Sequence, residues 1–190
     1  MPTTSHPADL DALTDLLGGD GWTRQPDVLP GAFFGGSFRH LTHPGHGLDI
    51  HAATLATPFG GQSLTADLRP HGDEDVPPWR IGLANHPASV LLAVTRAAAQ
   101  SDSDPRTATD RLADAGWTLT DEHRKGTKTS YQQWTSPDGQ RVARWALPGR
   151  SRRNEGGWII TRPGPIPPWS DVCAALTTPP AVIAAAALTD

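Results

Sequence analysis

Basic and aromatic side chains crowd together between residues 121 and 162, with nine Lys or Arg against four Asp or Glu. Arg141 and Trp145 lie four apart, as do Trp158 and Arg162, so on extended strands each pair shares a face. A sheet that shows aromatic rings rimmed by cations is a platform for single-stranded nucleic acid: bases stack on the rings while cations track the phosphates. The candidate nucleic-acid-binding set is Arg124, Lys125, Lys128, Arg141, Arg144, Trp145, Arg150, Arg152, Arg153, Trp158 and Arg162. The alternative makes Trp145 and Trp158 core residues, with the neighbouring Arg heads reaching water.

A second cluster, His40, His43, His46 and His51, falls within twelve residues. Imidazoles at this spacing bind transition metals, and a hairpin would bring His40 and His51 together. Asp49 is the only adjacent carboxylate, and no Cys is near. In the second half Ser136, Gly139 and Arg144 stand where His43, His46 and His51 stand, which is no ligand set. The sequence therefore favours an exposed His-rich turn, with no metal and no cofactor assigned. Catalytic signatures are also missing. There is no Gly-x-Ser-x-Gly elbow, and Cys173 sits in an apolar stretch without a neighbouring His. Gly18-Gly19 and the Gly31–Gly36 run lack the Lys-Ser/Thr that a phosphate cradle needs. Asp73-Glu74-Asp75 reads as a solvated loop. The expectation is a protein that is not an enzyme.

The elements that must position these residues occur twice. Trp22 and Trp117, Pro44 and Pro137, and Trp79 and Trp169 are separated by 95, 93 and 90 residues. Near-constant spacing of unlike motifs marks two copies of one unit. Residues 7–17 read as a helix from Leu10, Leu13, Leu16 and Leu17, ended by Gly18-Gly19. Strands are expected over 33–41, 47–56, 62–69 and 79–84, and a helix opens at His86-Pro87. Gln100–Asp104 is the linker candidate. Asp104-Pro105 then starts a helix that ends at Gly116. Strands follow over 129–135, 140–147, 157–162 and 169–176, and Pro179-Pro180 opens a last helix. The fold expected is α+β: residues 1–100 and 101–190 as pseudo-equivalent units, each a roughly four-stranded antiparallel sheet with helices on one face.

Bulk properties narrow the setting. The net charge of −4 divides unevenly: residues 1–100 hold five Arg against ten acids, and residues 101–190 hold eleven basic residues against ten. Arg outnumbers Lys 14 to 2, a bias expected of a GC-rich genome. The N-terminus shows no basic region followed by an apolar run, and Ala181–Leu188 is too short to span a bilayer. One cysteine excludes an internal disulfide and suits a cytoplasm, where Cys173 is expected to be a small buried apolar residue.

The second half resembles an actinobacterial domain of unknown function, family 317. The resemblance rests on Trp134-Thr135-Ser136-Pro137-Asp138-Gly139, Gly157-Trp158-Ile159-Ile160, Pro168-Trp169 and Thr177-Thr178-Pro179-Pro180 before an Ala-rich helix. It covers about residues 115–190 and implies a strand-rich unit followed by a helix, often in tandem. It supplies no activity. Tandem strand-then-helix units also look like the whirly and positive-coactivator type of single-stranded DNA binder, a likeness of architecture only. The functional expectation is a non-catalytic binding protein, with nucleic acid as its partner through the second unit. The alternative is a protein-interaction module or homo-oligomeric scaffold that uses an open sheet face. No membrane partner is expected.

Overall fold

The computed structural model describes residues 10–26, 37–56, 62–72, 79–100, 104–148, 156–162 and 170–189. The first half runs α1 (Leu10–Gly19), β1 (Thr23–Arg24), β2 (Ser37–His43), β3 (Leu48–Ala56), β4 (Gln62–Pro70), β5 (Ile81–Ala84) and α2 (Ala88–Ala99). The second runs α3 (Ala108–Asp114), β6 (Thr118–Lys125), β7 (Lys128–Thr135), β8 (Val142–Ala146), β9 (Gly157–Arg162), β10 (Ser170–Ala174) and α4 (Pro180–Leu188). The fold is α+β. Among the described residues its ten strands form a single antiparallel sheet, in the order β1-β2-β3-β4-β5-β10-β9-β8-β7-β6.

This corrects the expectation of two four-stranded sheets. Each half contributes five strands, and the two meanders join where Ile81–Ala84 pairs with Asp171–Ala174. The extra strands are β1 and β6, each directly after a Gly-Trp corner. Thr118–Lys125 (TLTDEHRK) carries little apolar alternation. As an edge strand it needs none, and its charges and register shifts protect the edge from further pairing.

The two Gly-Trp corners are built alike. Trp22 N–H donates to Leu17 O at 3.1 Å, and Trp117 N–H donates to Leu112 O at 3.0 Å. Gly21 and Gly116 hold φ of 93° and 80°, a region that favours glycine. A Cβ at Gly21 would also lie 3.1 Å from His43 Nε2. Both indoles are then swung under the sheet, 4% exposed each.

α3 begins later than Asp104-Pro105 suggests. Thr107 is its N-cap, in a capping box with Asp110. Asp104 instead engages Arg106 and Arg111.

Among the described residues, all the helices that touch the sheet lie over one face. Register aligns Leu41, Ile50, Leu68, Ile81, Ala174, Trp158 and Trp145 in a single row across seven strands. The first six of these are buried. α1 packs on β1 to β3, α2 on β4 and α4 on β9, while α4 also packs against α2 and α3. Val182, Ile183, Ala184, Ala186 and Ala187 of α4 are buried. A helix apolar on every side belongs in such a place, between other helices and a sheet. Among the described residues no helix is long and apolar enough to cross a membrane.

Candidate functional site

The basic, aromatic set divides between the two faces of the sheet. Trp145 and Trp158 are register partners on the helix-covered face. Trp158 is 6% exposed, and Trp145 is half-buried and packed against the same core. Trp158 therefore offers no ring for stacking, and Trp145 offers only part of one. Trp145 lies farther from α4, two strands from the sheet edge, which is why it is less covered. Arg141 and Arg162 do share a side with these rings, and they too are committed inward. Arg141 Nη1 donates to Ala187 O at 2.9 Å, and Arg141 Cζ lies 5.7 Å from the Trp117 ring centroid. Arg162 donates to Thr189 O. Two guanidinium groups thus satisfy carbonyls at the C-terminus of α4, where the helix dipole favours positive charge.

The other described cations of the set stay outside. Arg144 is exposed on the helix-free face and donates from Nε to Gln133 Oε1 at 2.9 Å. Arg124 pairs with Glu122 at 2.6 Å, which holds the Glu122 carboxyl below its ordinary range. Lys128 is exposed. Arg150, Arg152, Arg153 and Trp169 lie outside the described residues, as does the side chain of Lys125.

The helix-free face is defined by the alternate row of side chains. His40, His51, Asp67, Gly82, Cys173, Ile159, Arg144 and Gln133 are successive register partners from β2 to β7. Cys173 is exposed there rather than buried. Its side chain points away from the helices because Val172 and Ala174 fill the core on either side of it. Partial burial and the nearby Asp171 charge raise the thiol pKa, which keeps it a poor nucleophile.

The four histidines split into two pairs. His43 and His46 stack edge-on, with ring centroids 4.6 Å apart, and His43 leans on Trp22 at the α1 corner. His40 and His51 are direct cross-strand partners on the helix-free face, with ring centroids 4.4 Å apart. Asp49 lies beside them. It is 5% exposed, and it is the one buried polar side chain that the described strands place on that face. His71 Nδ1 contacts both of its carboxylate oxygens, at 3.0 and 2.9 Å. His40 Nε2 lies 3.5 Å from Asp49 Oδ1. Burial, followed by the neighbouring His40 and Arg69 charges, lowers the His51 pKa, so the ring is neutral at neutral pH. Sequence spacing suggested the His40–His51 approach. It could not supply His71, which arrives from the end of β4.

A cleft of about 650 Å³ beside α1 is lined by Asp11, Asp15, Trp22, Arg24 and Arg39. The Arg39–Asp11 ion pair at 2.6 Å satisfies much of its charge. No family model, no curated protein and no solved structure matches the chain.

Proposed function

We propose that the protein is a non-catalytic binding protein that works through the helix-free face of its sheet, with a second copy of the same chain as occupant. The observation that carries this reading is the row from His40 to Gln133, which no described helix covers. The surface around it is mixed rather than solvated throughout. Ile159 and Leu55 are 44% and 39% exposed, and Phe38 and Val142 are half-buried among Thr, Asp and Arg. A purely water-facing sheet side would be polar at these alternate positions. Charge supports an antiparallel pair in which the acidic first half of one copy faces the more basic second half of the other, an arrangement that isologous two-fold symmetry allows. On this reading the chain is two fused units of one kind, of the sort the family resemblance implies, working in a bacterial cytoplasm.

Sedimentation of the parent should give a dimer that salt weakens. Ile159→Asp should sediment as a monomer with an unchanged circular dichroism spectrum. A parent that stays monomeric at every concentration overturns the reading.

Nucleic acid is the second reading. It is favoured by the exposed Lys128 and Arg144 and by the nine-to-four excess of basic residues in 121–162. Binding of a fluorescent single strand should then fall with salt, with a log–log slope of about −0.7 per neutralised phosphate. Lys128→Ala and Arg144→Ala should flatten that slope. Absence of binding at about 50 mM salt, where such contacts are strong, removes this reading.

A further inference from the structure

We propose that His40, Asp49 and His51 form a binding site for a divalent transition-metal ion, Zn²⁺ in the first instance. The site stands independently of self-association. Its three ligand atoms all lie within 4.8 Å of one another. His40 Nε2 is buried and makes no hydrogen bond within the described residues. Its 3.5 Å separation from Asp49 Oδ1 is too long for a good hydrogen bond. It does suit one shared ion: two ligands at about 2.1 Å from a tetrahedral Zn²⁺ stand about 3.4 Å apart.

The scaffold is suited to the task. His40 and His51 face each other across β2 and β3, and Asp49 lies two residues from His51 on the same face. Two imidazoles and one carboxylate form a borderline donor set, which favours Zn²⁺ and its first-row neighbours over Mg²⁺ or Ca²⁺. The buried Asp49 carboxylate needs positive charge close by. His71, 2.9 Å from Asp49, holds the carboxylate from outside, as partners of metal-bound carboxylates do. The helix-free side leaves the remaining coordination positions open to water or to a donor on a bound molecule.

The test is titration of the tag-free full chain with ZnCl₂ by calorimetry, and with CoCl₂ by visible absorption. One saturable equivalent is expected, with Co²⁺ bands of low-coordinate intensity. His40→Gln and His51→Gln should each abolish that equivalent. His71→Ala should weaken it by about 10–100-fold, the usual effect of losing an outer-shell partner. His46→Gln, on the other histidine pair, should leave it unchanged. Circular dichroism and metal-free melting of His51→Gln establish that the variant is folded; if His40→Gln misfolds, His51→Gln decides the matter. No saturable binding of either metal by the parent overturns the proposal, as does binding that survives His51→Gln.

Discussion

The hairpin β2–β3 and the hairpin β7–β8 share a turn closure and a pairing pattern but carry different chemistry. Each turns through a short loop closed by a backbone bond, His46 N–H to His43 O at 3.1 Å and Gly139 N–H to Ser136 O at 2.9 Å. Three residues before each turn a helix-free-face pair begins: His40 with His51 in the first, Gln133 with Arg144 in the second. Gln133 and Arg144 satisfy each other through a 2.9 Å hydrogen bond. The two imidazoles do not bond each other, and a buried carboxylate lies beside them. Where the second half has Val142, the first has Asp49. The scaffold holds two facing side chains at a fixed separation in both hairpins, and their types alone decide between a self-satisfied polar pair and a set of converging donors.

The largest effect should test whether the halves are equivalent in their cores. Trp22 and Trp117 are equally buried and equally anchored. Trp22→Ala and Trp117→Ala should each cost about 3–5 kcal/mol of stability in urea or guanidinium unfolding. A variant that melts within a degree or two of the parent breaks the comparison at that corner.

A difference between the halves should appear in acid. His86 and Thr178 both precede the proline before their helix, and both are buried. Only His86 titrates. Burial, then the Arg162 charge, pushes its pKa from 6.5 down to about 4. Unfolding then takes up a proton between those values, so the neutral-His contribution is complete above pH 6.5 and is lost as pH falls toward 4. The loss is on the order of 3 kcal/mol. Stability measured from pH 7 to 4 should therefore decline more steeply for the parent than for His86→Gln. Equal slopes would remove His86 as the cause.

A smaller effect should come from Arg141, whose counterpart in the first half is the buried Leu48. Arg141→Met keeps the stem and deletes the hydrogen bonds to the end of α4. A cost of about 1–2 kcal/mol is expected by thermal melting. A neutral outcome would mean that Arg162 alone satisfies those carbonyls.

The local devices are written in short stretches of the sequence. Leu10, Leu13 and Leu17 at helical spacing, the Gly-Trp corners, the Ser136–Gly139 turn and the Pro-initiated helices follow from backbone and side-chain rules that act over a few residues, so they were legible. The split of basic and aromatic residues was not. Four-residue spacing showed that Arg141 shares a face with Trp145, and Trp158 with Arg162. Which face that was depended on where the helices packed. The carbonyls that Arg141 engages lie 46 and 48 residues away in sequence. Strand number is not legible where an edge strand carries little apolar alternation, and the fusion into one sheet depends on β5 meeting β10, whose paired residues lie 87 to 93 apart in the chain. The histidine site was half visible: strand alternation put His40, His51 and Asp49 on one face, but the burial of Asp49 and the approach of His71 came with the β3–β4 register. Local propensity is written in neighbouring residues. The side of the sheet that is buried, and the groups that converge there, are decided by long-range packing, which only the tertiary structure fixes.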